Sequence, residues 1–170
     1  MLNRPAYLTP DSLNCGDDSL STARPAEFWR DPTISYVESR RASQSRACYK
    51  LHSHPTFSIG AVDAGGSRFT GTSGGPYNLQ LGMMAFIPAG CVHACNPLPD
   101  QSRNDQMPHL DATWLRNVVT EMSDIPGGFI KESEIRRLDD EDVYGLFCEL
   151  NTLLFSNADA EEKNAALISA

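Results

Sequence analysis

The segment Gly82-Met-Met-Ala-Phe-Ile-Pro88-Ala-Gly90-Cys-Val-His93 carries the clearest structural pattern in this chain. Residues 84–87 are apolar and lie between two turn signals, which predicts a short buried strand. Gly82 and the Pro88-Ala-Gly90 triplet supply the turns, because glycine accepts a positive φ and proline fixes the backbone for a turn. The chain then re-enters a strand, and we expect His93 to point toward the mouth of a small β-barrel.

A histidine pair lies upstream, in His52-Ser-His54. Its spacing of two places both imidazoles on the same face of a strand. If that strand is unbroken, Ser58 shares the parity of the pair and faces the same cavity. The sequence therefore predicts that three of the four histidines line one interior site.

The stretch from residue 34 to residue 111 reads as short strands separated by turn signals, which is typical of an antiparallel sandwich or barrel. Within it, Asp63-Ala-Gly-Gly-Ser67 predicts a hairpin turn, after which residues 67–72 pair back onto residues 56–62. Residues 1–30 are polar, rich in Pro, Asp and Ser, and without periodicity. We interpret them as a flexible arm.

The spacing of apolar residues changes after residue 111, where a helical period replaces the alternation typical of strands. Asp139-Asp140 precedes apolar residues spaced by three and four, which predicts one face of a helix. These residues are Val143, Leu146, Phe147, Leu150, Leu153 and Leu154. Asp159 predicts the N-cap of a second helix through residues 165–168, and that helix runs into the last residue of the chain.

Composition excludes several classes of function. The net charge is −8, from 22 acidic and 14 basic residues, so this chain by itself should not bind the phosphate backbone of DNA. No apolar run reaches the roughly 18 residues of a membrane helix, and no apolar signal segment is present, which favours a cytoplasmic protein without membrane contact. Five scattered cysteines argue against a disulfide framework.

The order of these motifs resembles the N-terminal sensor domain of AraC-family transcriptional regulators, over most of residues 25–170. The resemblance is carried by Phe28-Trp29-Arg-Asp31, Leu51-His52-Ser-His54, Phe57-Ser-Ile-Gly60, Ile87-Pro88-Ala-Gly90-Cys-Val-His93-Ala-Cys-Asn96-Pro97 and Leu110-Asp111-Ala-Thr-Trp114-Leu115. The Pro-x-Gly-x-x-His-x-x-Asn-Pro run is the most specific of these, since half of it alone indicates only a cupin.

The resemblance implies a mainly β protein, a cupin-like antiparallel barrel of the jelly-roll type followed by helices. It divides the chain into an arm (1–30), a sensor barrel (31–115) and a helical dimerisation and linker segment (116–170). It implies a bacterial homodimer that binds a small-molecule effector. DNA would be bound through a C-terminal helix-turn-helix domain, which we expect to be absent from this chain.

Two sets of residues follow as candidates. The predicted effector-binding residues are His52, His54, Ser58 and His93, with Tyr49 and Phe69 as neighbours. The predicted dimerisation surface is the amphipathic face formed by Val143, Leu146, Leu150 and Leu153.

The alternative is a cupin metalloenzyme, a dioxygenase or an isomerase. Such sites combine two histidines and a glutamate from the first motif with a histidine from the second. The glutamate is expected about four residues past His54, where this chain has Ser58. A site of His52, His54 and His93 alone would suffice for zinc, iron or nickel. Because the carboxylate is missing, we expect no enzymatic activity and no resident cofactor.

Overall fold

Two antiparallel sheets face each other in the computed structural model, which describes residues 26–71, 76–122 and 134–169. The six-stranded sheet has the order β1 (Glu27–Arg30), β2 (Val37–Ser45), β8 (Arg103–Leu110), β3 (Phe57–Ala64), β6 (Met83–Ile87) and β9 (Arg136–Asp139). The three-stranded sheet has the order β5 (Tyr77–Gln80), β4 (Gly66–Gly71) and β7 (His93–Pro97). The helices are α1 (Ala112–Met122), α2 (Glu141–Leu154) and α3 (Ala160–Ser169).

The main core lies between the two sheets, because alternate side chains of each strand point inward. Val62 and Ile87 from the large sheet pack there with Phe69 and Leu79 from the small sheet, and all four are at most 2% exposed. Burying side chains of this size contributes about 1.5–3 kcal/mol each. This packing holds the sheets together and leaves the site at one end of their interior.

Helix α2 covers the outer face of the large sheet. Phe147 packs there against Ala61 and Met84. The contact is also polar: the buried Asn151 accepts a hydrogen bond from the Ser39 hydroxyl at 2.5 Å and donates one to the side chain of Gln106. Such a network fixes the position of the helix on the sheet more specifically than apolar contact alone.

The predicted fold class is confirmed, as are several local predictions. Strand β6 runs between the two predicted turns, and Gly90 has the positive φ of 79° that a turn with glycine in its third position requires. Helix α2 begins after Asp140, whose side chain accepts from two backbone amides. Helix α3 begins after Asp159, whose side chain accepts from the amide of Glu162.

Three predictions of local structure are wrong. Strand β4 does not pair back onto β3 but belongs to the other sheet, because the chain turns sharply at Gly65, with φ 72°, and crosses over. Residues 27–30 of the predicted arm form β1, which pairs with β2. The predicted helical segment contains β9, which pairs with β6, and α1 begins at Ala112 within the predicted barrel. The rest of the predicted arm lies outside the described residues.

The cysteines depart from the expectation of a chain without disulfides. Cys48 is disulfide-bonded, whereas Cys91, Cys95 and Cys148 are free. In the three described ranges, no helix combines the length and hydropathy needed to cross a lipid bilayer.

Candidate functional site

Backbone hydrogen bonds join the two histidine motifs. The amide of His52 donates to the carbonyl of His93 at 2.9 Å, and the amide of His93 donates to the carbonyl of His52 at 2.8 Å. The amide of Gly90 donates to the carbonyl of His54 at 2.8 Å. These bonds hold the segment that carries the histidine pair against the start of β7.

Asn96, three residues beyond His93 on β7, extends this attachment. Its side-chain oxygen accepts from the amide of Tyr49 at 2.6 Å, and its side-chain nitrogen donates to the carbonyl of Tyr49 at 3.1 Å. The side-chain amide of Asn96 thus satisfies the backbone N–H and C=O of Tyr49, as a paired strand would. This gives a structural role to the asparagine of the Pro-x-Gly-x-x-His-x-x-Asn-Pro run.

The rings of His52, His54 and His93 converge. Their centroids lie 4.8 Å apart for His52–His54, 4.7 Å for His52–His93 and 5.5 Å for His54–His93. The prediction that His52 and His54 lie on a regular strand is wrong, because His52 forms an isolated bridge and His54 lies outside any strand. The bridge to His93 nevertheless brings the rings together.

Hydrogen bonds between a ring nitrogen and a backbone carbonyl fix the orientation of the His52 and His93 rings. Nδ1 of His52 lies 2.7 Å from the carbonyl oxygen of Lys50, and Nδ1 of His93 lies 3.0 Å from that of Cys91. A carbonyl only accepts, so Nδ1 carries the proton in both rings. In the neutral rings Nε2 therefore has a free lone pair, which can accept a hydrogen bond or ligate a metal ion.

The fourth histidine joins the cluster, which the sequence analysis missed. The ring of His109 lies 5.0 Å from that of His54, and its Nδ1 is 2.8 Å from the hydroxyl oxygen of Ser58. His109 and Ser58 are register partners on β8 and β3. Ser58 is fully buried and contacts His109, so it supports the cluster from one side.

Burial keeps His54, His93 and His109 neutral. It lowers the pKa of His54 to about 4, with further lowering from His52 and His93. It lowers the pKa of His109 to about 3, and the pKa of His93 also lies below its ordinary value. At neutral pH the imidazoles of these three histidines are therefore uncharged.

Aromatic rings border the cluster on two sides. The ring of Phe69 stacks on His93 with centroids 6.0 Å apart and an interplanar angle of 6°. The ring of Tyr49 lies 5.9 Å from that of His52. The structure thus brings all six predicted effector-binding residues to one region of the interior, with His109 as a seventh member.

A small cavity of about 20 Å³ lies next to this region, between the sheets. Phe69, Leu79 and Ile87 give it apolar walls. Arg103 and Asp105 also line it and form a buried ion pair, with Nε and Oδ1 2.9 Å apart. The sequence analysis missed this pair; its signal was the alternation of charged residues along β8, which places both on the inward face.

The three histidines lie close enough to bind a divalent first-row metal ion after a small adjustment, but they lack the carboxylate ligand of cupin metal sites. Their candidate ligand atoms lie within 4.8 Å of one another. Two nitrogens bound to one ion at about 2.1 Å are at most about 4.2 Å apart, so a small ring rotation would bring them into range. The side chain at the position of the cupin glutamate is Ser58, so the donor set would be imidazole nitrogen alone.

The predicted dimerisation residues lie beside the face of α2 that packs on the sheet. Val143 is 37% exposed and Leu146 is 59% exposed, whereas Leu150 and Leu153 are half-buried. The six apolar residues predicted to share one face thus divide: Phe147 and Leu154 are buried, and the other four form a stripe at the edge of the sheet contact.

The comparisons with known proteins agree with this fold. Apo ToxT from Vibrio cholerae is 7% identical over 78% of this chain and 52% of its own, with a TM-score of 0.57. A cupin family protein from Methanocaldococcus jannaschii is 10% identical over 58% of this chain and 92% of its own, with a TM-score of 0.45. A variant of Bacillus subtilis oxalate decarboxylase is 17% identical over 64% of this chain and 35% of its own, with a TM-score of 0.43. No curated protein sequence matches the chain.

Of these structures, ToxT is similar enough to support the fold, and the chain spans about half of its length, 52%. The two cupin similarities are too distant to carry an argument. The family model described as the AraC-like ligand binding domain matches residues 35–170, which include every strand of the sheets except β1 and all three helices. The chain therefore belongs to the AraC-like ligand binding domain family.

Proposed function

We propose that this chain is the effector-binding and dimerisation domain of an AraC-family transcriptional regulator. The observation that carries the proposal is the convergence of three imidazole rings, those of His52, His54 and His93, at the end of an apolar interior. A regulator needs a site that holds a small molecule reversibly. Neutral imidazoles with a free Nε2 accept hydrogen bonds from a hydroxyl or amine donor without forming a strong ion pair.

The remaining residues of the site have distinct roles in this proposal. Phe69 and Tyr49 form the walls against which the effector packs, since both rings border the histidines. Ser58 is bonded to His109 and does not face the effector directly. We propose that Ser58 and His109 position His54, because the His109 ring lies against the His54 ring.

Dimerisation through α2 is the second part of the proposal. The stripe of Val143, Leu146, Leu150 and Leu153 has the spacing of three and four that pairs two helices side by side. It is apolar and partly exposed on a helix whose other face is attached to the sheet. A second copy of the chain would bury this stripe, and DNA binding in the cytoplasm would belong to a further domain.

A thermal-shift screen of small polar molecules tests effector binding. A ligand that binds the folded domain raises the melting temperature in proportion to its concentration relative to Kd. We expect at least one compound to do so, and His52→Gln and His54→Gln to reduce its effect. Asn78→Ala, at an exposed position of β5, is the matched control. A compound whose effect is unchanged in both histidine variants would place its site elsewhere.

A cupin metalloenzyme is the second candidate function, and the orientation of the rings favours it. Protonated Nδ1 atoms bonded to backbone carbonyls are the usual support for histidines that ligate a metal through Nε2. Bound to His52, His54 and His93, the metal ion would act as a Lewis acid or bind oxygen.

A titration with Co²⁺, followed by its visible absorption, tests this candidate. Stoichiometric binding that His54→Gln abolishes, together with oxygen-dependent loss of a screened substrate, would establish the enzyme and overturn the sensor. Binding of Co²⁺ without any turnover leaves the sensor as the function and adds a metal to its site.

A further inference from the structure

Arg103 is held rigidly at the wall of the interior cavity. It is 3% exposed, and its Nη1 donates to the carbonyl of Cys95 at 2.6 Å and to the hydroxyl of Ser67 at 3.3 Å. Its Nε donates to Asp105 at 2.9 Å. Among the described residues these bonds use Nε and Nη1. Within the part of the chain that the structure describes, no hydrogen bond of Nη2 is found, and we take its two N–H groups as the donors to a ligand.

The charges around the cavity do not balance. Asp105 is bonded to Arg103 through one oxygen and to Arg40 through the other, at 2.5 Å, so two guanidinium groups share one carboxylate. Two nearby carboxyl groups are engaged elsewhere: Asp63 accepts hydrogen bonds on the outer face of the sheet, and Glu38 pairs with Arg30 at 2.7 Å. An uncompensated buried charge is costly, and an anion in the cavity would offset it.

The rest of the cavity suits a small apolar group. Phe69, Leu79 and Ile87 line it, and its volume of about 20 Å³ is close to the space of one water molecule. It can enlarge, because Met107 also lines it and has a flexible, unbranched side chain. Opposite Met107 lies Gly60, where an added Cβ would come within 3.1 Å of the Met107 terminal methyl group.

We propose that the effector of this domain is a small monocarboxylate that also carries a hydroxyl group: its carboxylate binds Nη2 of Arg103, its apolar part packs against Phe69, and its hydroxyl group donates to the histidine cluster. The inference rests on the proposed effector function and adds the chemical class of the effector. A planar carboxylate matches the donor geometry of a guanidinium group. The carboxylate also supplies the negative charge that the pair of arginines lacks.

Matched pairs of probes test the charge. Butyrate, 3-hydroxybutyrate and benzoate are each compared with the corresponding primary amide, which has the same shape without the charge. The full chain is titrated at neutral pH, with the melting temperature and the ¹H–¹⁵N signal of Arg103 Nε as readouts. We expect at least one carboxylate to raise the melting temperature and to move the Arg103 signal, and its amide to do neither.

Two variants change the charge while Arg103 stays in place. In Arg40→Met, Asp105 keeps its bond to Arg103, so no charge is orphaned and the excess positive charge disappears. We expect the Kd of the carboxylate to rise about tenfold or more. In Asp105→Asn the excess positive charge grows, and we expect the Kd to fall. If Arg40 and Asp105 had only a structural role, the Kd would not rise in one variant and fall in the other.

Three results would overturn the inference. The first is binding of amides as tightly as of carboxylates, which leaves the effector pocket in place and removes only the charge assignment. The second is binding of a carboxylate that leaves the Arg103 signal and the Arg40→Met affinity unchanged. The third is no response to any carboxylate while a neutral compound from the wider screen binds, which again separates this inference from the proposed function.

Discussion

His52 and His93 exchange two backbone hydrogen bonds, 2.9 and 2.8 Å long, although 40 other residues separate them in the chain. This pair brings together two histidine motifs that lie on different segments of the barrel. The segment with His52 and His54 belongs to no regular strand, so its position depends on this bridge and on the bonds made by Gly90 and Asn96. The convergence of the imidazoles therefore depends on the hydrogen bonds that hold the backbone of this segment.

Asn96→Ala is predicted to loosen the histidine pair. The substitution removes both side-chain bonds to the backbone of Tyr49, and we expect the free energy of unfolding to fall by about 1–3 kcal/mol. Denaturant unfolding measures the loss. Asn78→Ala, at an exposed position on strand β5 of the same sheet, should change the stability by less than about 0.5 kcal/mol. Equal stability of the two variants would show that Asn96 does not hold this segment.

Stability should fall in mildly acidic solution. Burial lowers the pKa of His109 to about 3, below the value of about 6.5 for an unfolded histidine. Below pH about 6.5 the unfolded state binds the extra proton, so the free energy of unfolding decreases as pH falls toward 3, by up to about 1.4 kcal/mol per pH unit.

His109→Gln checks this pH dependence in metal-free protein. Glutamine does not titrate and can still bond the hydroxyl of Ser58. Between about pH 7.5 and about pH 5, the variant should lose about 2 kcal/mol less stability than the original chain. If both proteins lose the same amount, His109 is not a neutral buried group that resists protonation.

Leu146→Glu is predicted to convert a dimer into a monomer with its fold intact. Leu146 is 59% exposed, so a charge there costs the isolated chain little, whereas it would be buried against a second copy. Sedimentation velocity reports the change in mass, and circular dichroism reports the fold. Thr152→Glu, an exposed position on the opposite side of α2, is the control. A sedimentation coefficient that Leu146→Glu leaves unaltered removes this stripe as the dimer surface.

The polar attachment of α2 should be cooperative. Asn151 is 3% exposed and bonded to Ser39 at 2.5 Å. We expect Asn151→Ala to cost about 1–3 kcal/mol, because it leaves buried partners unsatisfied. In a double-mutant cycle with Ser39→Ala, the two losses should not add, and the coupling should exceed about 0.5 kcal/mol. Additive losses would mean that the two side chains act independently.

Local signals made part of the fold predictable. The strand between Gly82 and Pro88 and the helices after Asp140 and Asp159 depend on turn residues and N-caps, whose effect extends over a few neighbours. The start of α1 had the same signal in Asp111, whose side chain accepts from two amides of the first turn. Asp111 is therefore a third N-cap of the same kind, recognisable from the sequence by its position before an apolar helical segment.

Contacts between distant residues could not be predicted in this way. Ser58 and His109 are 51 positions apart, and their meeting depends on the register of β3 and β8. The residues around Gly65 have the composition of a hairpin turn. The partner of β4 is nevertheless determined by the packing of the two sheets, which is a tertiary effect. The charge excess around Arg103 likewise appears only when Arg40 and Asp105 are placed on adjacent strands.

Imidazole ¹⁵N spectra of the domain, recorded with and without the compound that most raises its melting temperature, test whether the histidine cluster is the effector site. We expect the Nε2 signals of His52 and His93 to shift when the compound binds, while their Nδ1 atoms, which donate to backbone carbonyls, stay protonated. A compound that saturates the domain and leaves the Nε2 signals of His52, His54 and His93 unmoved would contradict this expectation.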